Sequence, residues 1–325
     1  MFDPIHFPAR PFDVNAADPV IAGVNDQLKK AFADSPARWE IPLAIERTRS
    51  PANGVLCFTR SDKPVEISDF TIPGPAGDLR IRQFIPELTD KPAGIYLHFH
   101  AGGFCLGSAS GQDGVLTELA HGASVIVLSV DYRLAPEHPY PAALADCEAS
   151  AWWLVKHAQT RYGVDCIVLG GESAGSYLTL TTALRLRDRH GFVGLAGLNL
   201  SQGEYDLRIT PSMSKATSTL AVDRPTFVTH MRRFFPDDAQ RMRWEANPLF
   251  ADLDRLPPPL MTIGSLDPCL DGNMFLYMRL LSCGVHAELN IYPGGFHLFN
   301  FIDSPLAANA NQRIYRFVRN ACLTV

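Results

Sequence analysis

The chain has 325 residues, 46% hydrophobic and 19% charged, enough to bury a large core in one large domain or two small ones; disordered, collagen-like and coiled-coil proteins do not have this composition. Its 34 acidic against 29 basic residues leave a formal net charge of -5, without the basic footprint that capture of nucleic acid or of an anionic membrane requires. The composition points to a soluble protein whose partner is a small molecule or another protein.

Residues 1–62 carry no strand-like run. Apolar residues at helical spacing predict one helix over Ala16–Phe32 and a short one over Ile41–Arg47. Val65–Ile72 and Leu79–Ile85 read as strands flanking a Pro- and Gly-rich turn. An alternation follows. Strands are predicted at Gly94–His100, Ser124–Val130, Cys166–Gly170, Val193–Leu200, Leu260–Gly264 and His286–Tyr292. Helices are predicted at Gly111–His121, Pro141–Tyr162, Ala174–His190, Gly272–Cys283 and Leu306–Cys322. Continuous apolar strands alternating with helices imply an α/β protein with a mostly parallel sheet covered on both faces. The interval 202–254 breaks the rhythm and reads as an insertion above the sheet.

The seven cysteines are scattered, with no C-x-x-C pair, and the N-terminus has no basic segment followed by an apolar one. No apolar run approaches the roughly 20 residues of a membrane span. These features lead us to expect a cytoplasmic protein with reduced cysteines.

In open sheets of this kind, ligands sit beyond the carboxyl ends of the strands, so polar residues there carry the functional weight. Gly171-Glu172-Ser173-Ala174-Gly175 follows a strand and opens a helix, a context that lifts the Ser173 hydroxyl above the sheet and aims the Ala174 N–H at a forming oxyanion. His100-Ala101-Gly102-Gly103-Phe104 also follows a strand, and its paired glycines let Gly102 and Gly103 bring two more backbone donors close. A serine nucleophile needs a base, and the base an orienting acid. His297 lies in the loop after the last strand, and Asp267 follows the strand Leu260–Gly264, giving the chain order Ser173, Asp267, His297. Asp206 and Asp271 are the rival acids, Asp271 reading better as the cap of the helix it begins. His98 and His100, two apart on one strand, could pair on a metal, but no Asp or Cys nearby completes a ligand set, and no metal is expected.

Three segments resemble the hormone-sensitive lipase family of esterases, which has the α/β-hydrolase fold: His100–Phe104, the run Asp131-Tyr132-Arg133-Leu134-Ala135-Pro136-Glu137-His138-Pro139-Tyr140-Pro141-Ala142-Ala143, and Gly171–Gly175 with Asp267 and His297. The resemblance extends from about Val65 to the C-terminus. It implies an eight-stranded core over 63–325, a helical cap built from residues 1–62 and the insertion 202–254, no cofactor, and a small-molecule ester substrate. It further implies Ser173 as nucleophile, His297 as base, Asp267 as its partner, and Gly102, Gly103 and Ala174 as oxyanion hole, serving short- to medium-chain esters. Homodimers are common in the family. Amidase or lactonase chemistry would use the same triad, whereas a receptor on this scaffold would lack the histidine base. The sequence departs from the family pattern at Ala101, Glu172 and Ser176, none of which supplies a catalytic atom. Phe32, Trp39, Phe104, Met213, Phe227 and Leu298 are the candidates to line the substrate pocket.

Overall fold

Five successive strands are buried along their whole length: β3 (Ile95–Phe99), β4 (Ile126–Val130), β5 (Ile167–Glu172), β6 (Gly197–Ser201) and β7 (Pro259–Gly264). Strands buried on both faces have no polar side to alternate with, which is why their sequences read as continuous apolar runs. With the hairpin β1 (Val65–Gly74) and β2 (Gly77–Pro86) and the edge strand β8 (Glu288–Tyr292) they form one sheet, ordered β1-β2-β4-β3-β5-β6-β7-β8. The contacts of β1 with β2 and of β2 with β4 are antiparallel; all the others are parallel. This computed structural model describes residues 19–32, 36–48, 61–217 and 222–323.

The helices, in chain order, are α1 (Pro19–Phe32), α2 (Leu43–Thr48), α3 (Asp113–Ala123), α4 (Ala142–Tyr162), α5 (Ala174–His190), α6 (Pro211–Lys215), α7 (Arg224–Phe234), α8 (Asp238–Met242), α9 (Leu270–Ser282) and α10 (Pro305–Leu323). Neighbouring residues of a strand feed opposite layers. Leu97 and Leu169 pack with Leu144, Leu154, Leu180 and Leu276 from α4, α5 and α9, whereas Tyr96 and Val168 pack with Leu116 and Val318 from α3 and α10. Each fully buried Leu or Val contributes roughly 1.5–3 kcal/mol from apolar area removed from water. The two layers fix the sheet firmly enough that the loops at its carboxyl edge can be irregular. α6, α7 and α8 lie between β6 and β7 in the chain, as the break in the alternation predicts.

Candidate active site

β5 ends at Glu172 and α5 begins at Ala174, so Ser173 alone turns the chain, at φ 55° and ψ -119°. A non-glycine residue in that region costs about 1–3 kcal/mol and persists only where its surroundings over-determine it. Here the Ser173 N–H donates to Ser201 O (2.9 Å), and Ser173 O accepts from the N–H groups of Ser176 (3.0 Å) and Tyr177 (3.2 Å). A Cβ on Gly175 would run into the Phe99 carbonyl, so only glycine lets the helix start this close to the end of β3. The two other departures near the turn have structural employment. The Glu172 carboxylate accepts from Gln112 Nε2 (2.9 Å) and hydrogen-bonds His98 Nε2 (3.1 Å), whose Nδ1 meets Ser129 Oγ (2.9 Å). Ser176 Oγ hydrogen-bonds the buried Tyr205 hydroxyl at 2.8 Å.

Beyond β8, the loop 293–298 carries His297. Its Nε2 lies 2.9 Å from Ser173 Oγ, and its Nδ1 lies 3.0 Å from both oxygens of Asp267. Asp267 Oδ1 also accepts the Cys269 N–H at 2.8 Å, so this buried carboxylate is fully paired, as a buried charge must be. The loop is pinned on three sides. Leu298 N–H donates to Gln202 Oε1 (2.7 Å), Gly294 N–H to Ser265 Oγ (2.9 Å), and Asn25 Nδ2 of α1 to Gly294 O (2.8 Å). The rival acids are engaged elsewhere. Asp206 pairs with Arg208 at 2.7 Å. Asp271 does not cap its own helix: its oxygens accept from the Ser212 N–H (2.7 Å) and hydroxyl (2.8 Å), because α6 packs directly against that first turn.

The third component is the loop after β3. Gly102, Gly103 and Phe104 all have positive φ (135°, 58° and 64°), and Gly102 O closes the turn by accepting from the N–H groups of Cys105 (3.1 Å) and Leu106 (2.9 Å). The Ala101 N–H is taken by Gln112 Oε1 at 3.1 Å, a backbone contact that alanine makes as glycine would. The Asp131–Ala143 run braces this loop from below. Tyr132 stacks on His100 at 4.1 Å and donates to its carbonyl at 2.8 Å, and the Ala135 N–H donates to Phe104 O at 2.9 Å. Arg133 is clamped by Asp146 (2.8 Å), and Asp131 accepts the Ala109 N–H (2.6 Å) and pairs with Arg80 (3.2 Å). From the N-terminal segment, Arg47 donates to Cys105 O (2.9 Å) and Ala135 O (2.9 Å) and pairs with Glu137 (2.8 Å).

Ser173, His297, Gly102, Gly103 and Ala174 open on one cavity of about 100 Å³ roofed by α6 and α7. Cys269, which with Asp267 and His297 offers ligand atoms within 4.8 Å of one another, has its thiol pushed up by burial and by the Asp267 and Glu204 carboxyls, while both His297 nitrogens are engaged by Asp267 and Ser173.

The sequence model of a family described as having the alpha/beta hydrolase fold matches residues 96–301. This chain belongs to that family. Within it, the chain falls with the hormone-sensitive lipase group and is a carboxylic ester hydrolase. Esterase LipI of Mycobacterium tuberculosis is 30% identical over 281 residues, 85% of each chain. An acetyl esterase of Salmonella choleraesuis is 31% identical over 293 residues, 86% of this chain and 89% of that one. A hyperthermophilic esterase from the archaeon Pyrobaculum calidifontis superimposes with a TM-score of 0.85 at 28% identity, over 93% of this chain and 98% of its own. Among the described residues, no helix is long and apolar enough to cross a membrane.

Of the residues predicted for the pocket of this hydrolase, Phe104, Met213, Phe227 and Leu298 line the cavity. The side chain of Phe32 lies outside the described residues. Trp39 does not line it. Arg38, Trp39 and Glu40 form a single 3₁₀ turn, in which successive side chains point about 120° apart. Arg38, paired with Glu46 at 3.0 Å, faces the cavity, and Trp39 is turned to solvent. Sequence reasoning missed Arg38, Glu204 and His230. His230 sits three residues after Phe227 on α7, so helical spacing alone puts the two on one face. Burial, with the Arg38 and Arg233 cations nearby, lowers His230 to about 3, so it is a neutral wall of the cavity.

Proposed function

We propose that this hydrolase cleaves short- to medium-chain carboxylic esters through an acyl-enzyme, with Ser173 as nucleophile, His297 as general base and acid, and Asp267 as the group that orients and stabilises the imidazole. The observation that carries the reading is the unbroken hydrogen-bonded path from Ser173 Oγ through His297 to Asp267 at the floor of the cavity. Asp267, by accepting at Nδ1, keeps the proton there and leaves Nε2 free to take the serine proton. Ser173 Oγ then bonds to the ester carbonyl carbon, and the carbonyl oxygen becomes an oxyanion facing the N–H groups of Gly102, Gly103 and Ala174. Each such donor contributes about 3 kcal/mol to lowering the barrier. The imidazolium returns its proton to the departing alkoxide, and water, deprotonated by the same nitrogen, releases the acid and restores Ser173.

The apolar cavity of about 100 Å³ supports a short acyl chain over a long one. The packing of α7 against the Arg38–Glu40 turn supports a cap shared by the N-terminal segment and the insertion 202–254. Six described cysteines, all free, suit the reducing cytoplasm. The test is a p-nitrophenyl ester series from acetate to laurate, with an amide control, on wild type and Ser173→Ala. Turnover should fall by about 10⁴-fold or more in the variant, with acetate to hexanoate the best substrates; equal rates for the two proteins would overturn the assignment.

A further inference from the structure

Glu204 stands in the loop after β6 and lines the same cavity as Ser173. It is 6% exposed, and its two oxygens are treated differently by the fold. Oε1 accepts the Asp206 N–H at 3.3 Å, while Oε2 is buried without any hydrogen-bond partner. The niche is made for this carboxyl. A Cβ on Gly272 of α9 would stand 2.5 Å from Glu204 Oε1, so a larger residue there would expel it. Burial and the Asp206 and Asp267 charges raise Glu204 well above the usual carboxylate range, and the adjacent Cys269 thiol is held protonated by the same surroundings. A carboxyl oxygen accepts a hydrogen bond in either protonation state, and leaving it unpaired against hydrocarbon costs the free energy of a lost hydrogen bond. None of the chemistry at Ser173, His297 and Asp267 uses it.

We propose that the unpartnered Glu204 oxygen is the point at which this cavity binds a hydroxyl group carried by the ester, so that hydroxylated esters are the preferred substrate class. The inference rests on the reading of this cavity as the place where Ser173 meets the ester. A plain alkyl chain against Glu204 leaves Oε2 unsatisfied in the bound enzyme, whereas a hydroxyl at that point gives it a partner. Sites built to hydrogen-bond a substrate hydroxyl discriminate against the analogue that lacks it, because the protein group is then left buried and alone.

The hydroxyl could belong to either half of the ester, and two substrate pairs separate these sources. p-Nitrophenyl 3-hydroxybutyrate against p-nitrophenyl butyrate reports the acyl half, and glycerol monobutyrate against propyl butyrate, followed by titration of released acid, reports the alcohol half. Wild type should favour the hydroxylated member of one pair by about 10-fold or more in kcat/KM, the size of one buried hydrogen bond. In Glu204→Leu that ratio should collapse to about 1, and in Glu204→Gln, which still donates and accepts, it should stay within about threefold of wild type. Glu204→Met offers a second apolar occupant of the niche if the Leu variant does not fold, read by the same ratio. No preference in either pair, or a preference that survives both apolar variants, would overturn the inference. Failure of the underlying reading has a different signature: Ser173→Ala would then turn over the plain esters as wild type does.

Discussion

Gln202 holds the loop that carries His297, the base of the proposed mechanism, and replacing it with leucine isolates that effect. Its φ of 54° is carried by a fully buried side chain, whose Oε1 accepts the Leu298 N–H at 2.7 Å and whose Nε2 donates to Asn300 Oδ1 at 3.2 Å. Leu298 itself sits at φ 64°, immediately after His297, so the strained residue following the base is tied to the strained residue at the end of β6. Gln202→Leu removes both bonds. Two neutral bonds at about 1 kcal/mol each, with an added penalty of about 1–2 kcal/mol for the stranded Leu298 N–H, predict a loss of about 3–4 kcal/mol. For a chain of this size that lowers Tm by about 4–6 °C. The imidazole loses its anchor at the same time, and a displacement of about 1 Å at a reacting group costs on the order of 10²-fold in rate. kcat for p-nitrophenyl butyrate should therefore fall by about 10- to 100-fold, with KM changed by less than about threefold, because Gln202 does not line the cavity. Asn300→Ala cuts the outer bond, together with the one from its own Nδ2 to Asn311 Oδ1 (3.5 Å), leaves the Leu298 N–H paired, and should lower Tm while sparing kcat. A Gln202→Leu protein with wild-type kcat would refute the reasoning, as would equal kcat losses in the two variants.

Two other outcomes follow from the same geometry. Gly102→Ala puts a Cβ on a residue at φ 135° and against the backbone of Leu106, so the loop must move; kcat should drop by about 10²- to 10³-fold, the loss typical of one oxyanion donor. Circular dichroism should show the sheet intact, and near-normal kcat would remove Gly102 from the proposed machinery. His230, held at about 3 against an ordinary 6.5, gives acid lability of definite sign: the unfolded chain binds a proton that the native state refuses, so stability present above pH 6.5 is lost as pH falls toward 3. Between pH 6.5 and 5 the loss is about 2 kcal/mol, and His230→Gln should flatten the Tm profile over that interval; an unchanged acid slope would contradict the assignment.

What was legible in the sequence, and what was not, divides along a physical line. The buried strands and the Gly-x-Ser-x-Gly turn were legible because apolar periodicity and a tight strand-to-helix turn mark the local sequence, although the contact that requires glycine at 175 is with the Phe99 carbonyl of β3. Asp267 and His297 were legible as candidates from strand-end position, since they follow β7 and β8, and the fold brings both into one hydrogen-bonded path with Ser173. The wall of the cavity was not. Whether Arg38 or Trp39 faces inward depends on a single 3₁₀ turn whose phase is set by the Glu46 carboxylate, eight residues away. Glu204 carried no motif, and its meaning arises from the space left by Gly272 on a helix 68 positions later, a juxtaposition only the folded sheet creates. Asp271 misled for the converse reason. A first-turn aspartate fits the local rule for helix caps, and the packing of α6 overrides it.

The N-terminal segment reaches two loops of the site. Asn25 on α1 reaches the carbonyl of Gly294 in the loop that carries His297, and Arg47 on α2 reaches the carbonyl of Cys105 in the loop that carries Gly102 and Gly103. These are the two irregular loops in which non-glycine residues hold positive φ beside Ser173, at Leu298 and Phe104. Neither conformation is favoured by its own sequence, so each depends on partners supplied from elsewhere. The segment least strand-like in composition thus ties down both loops that flank Ser173, the one that carries His297 and the one that carries Gly102 and Gly103. Each loop also has a second anchor on the core, Gln202 for one and the Ala135 N–H for the other, so neither conformation rests on the N-terminal segment alone.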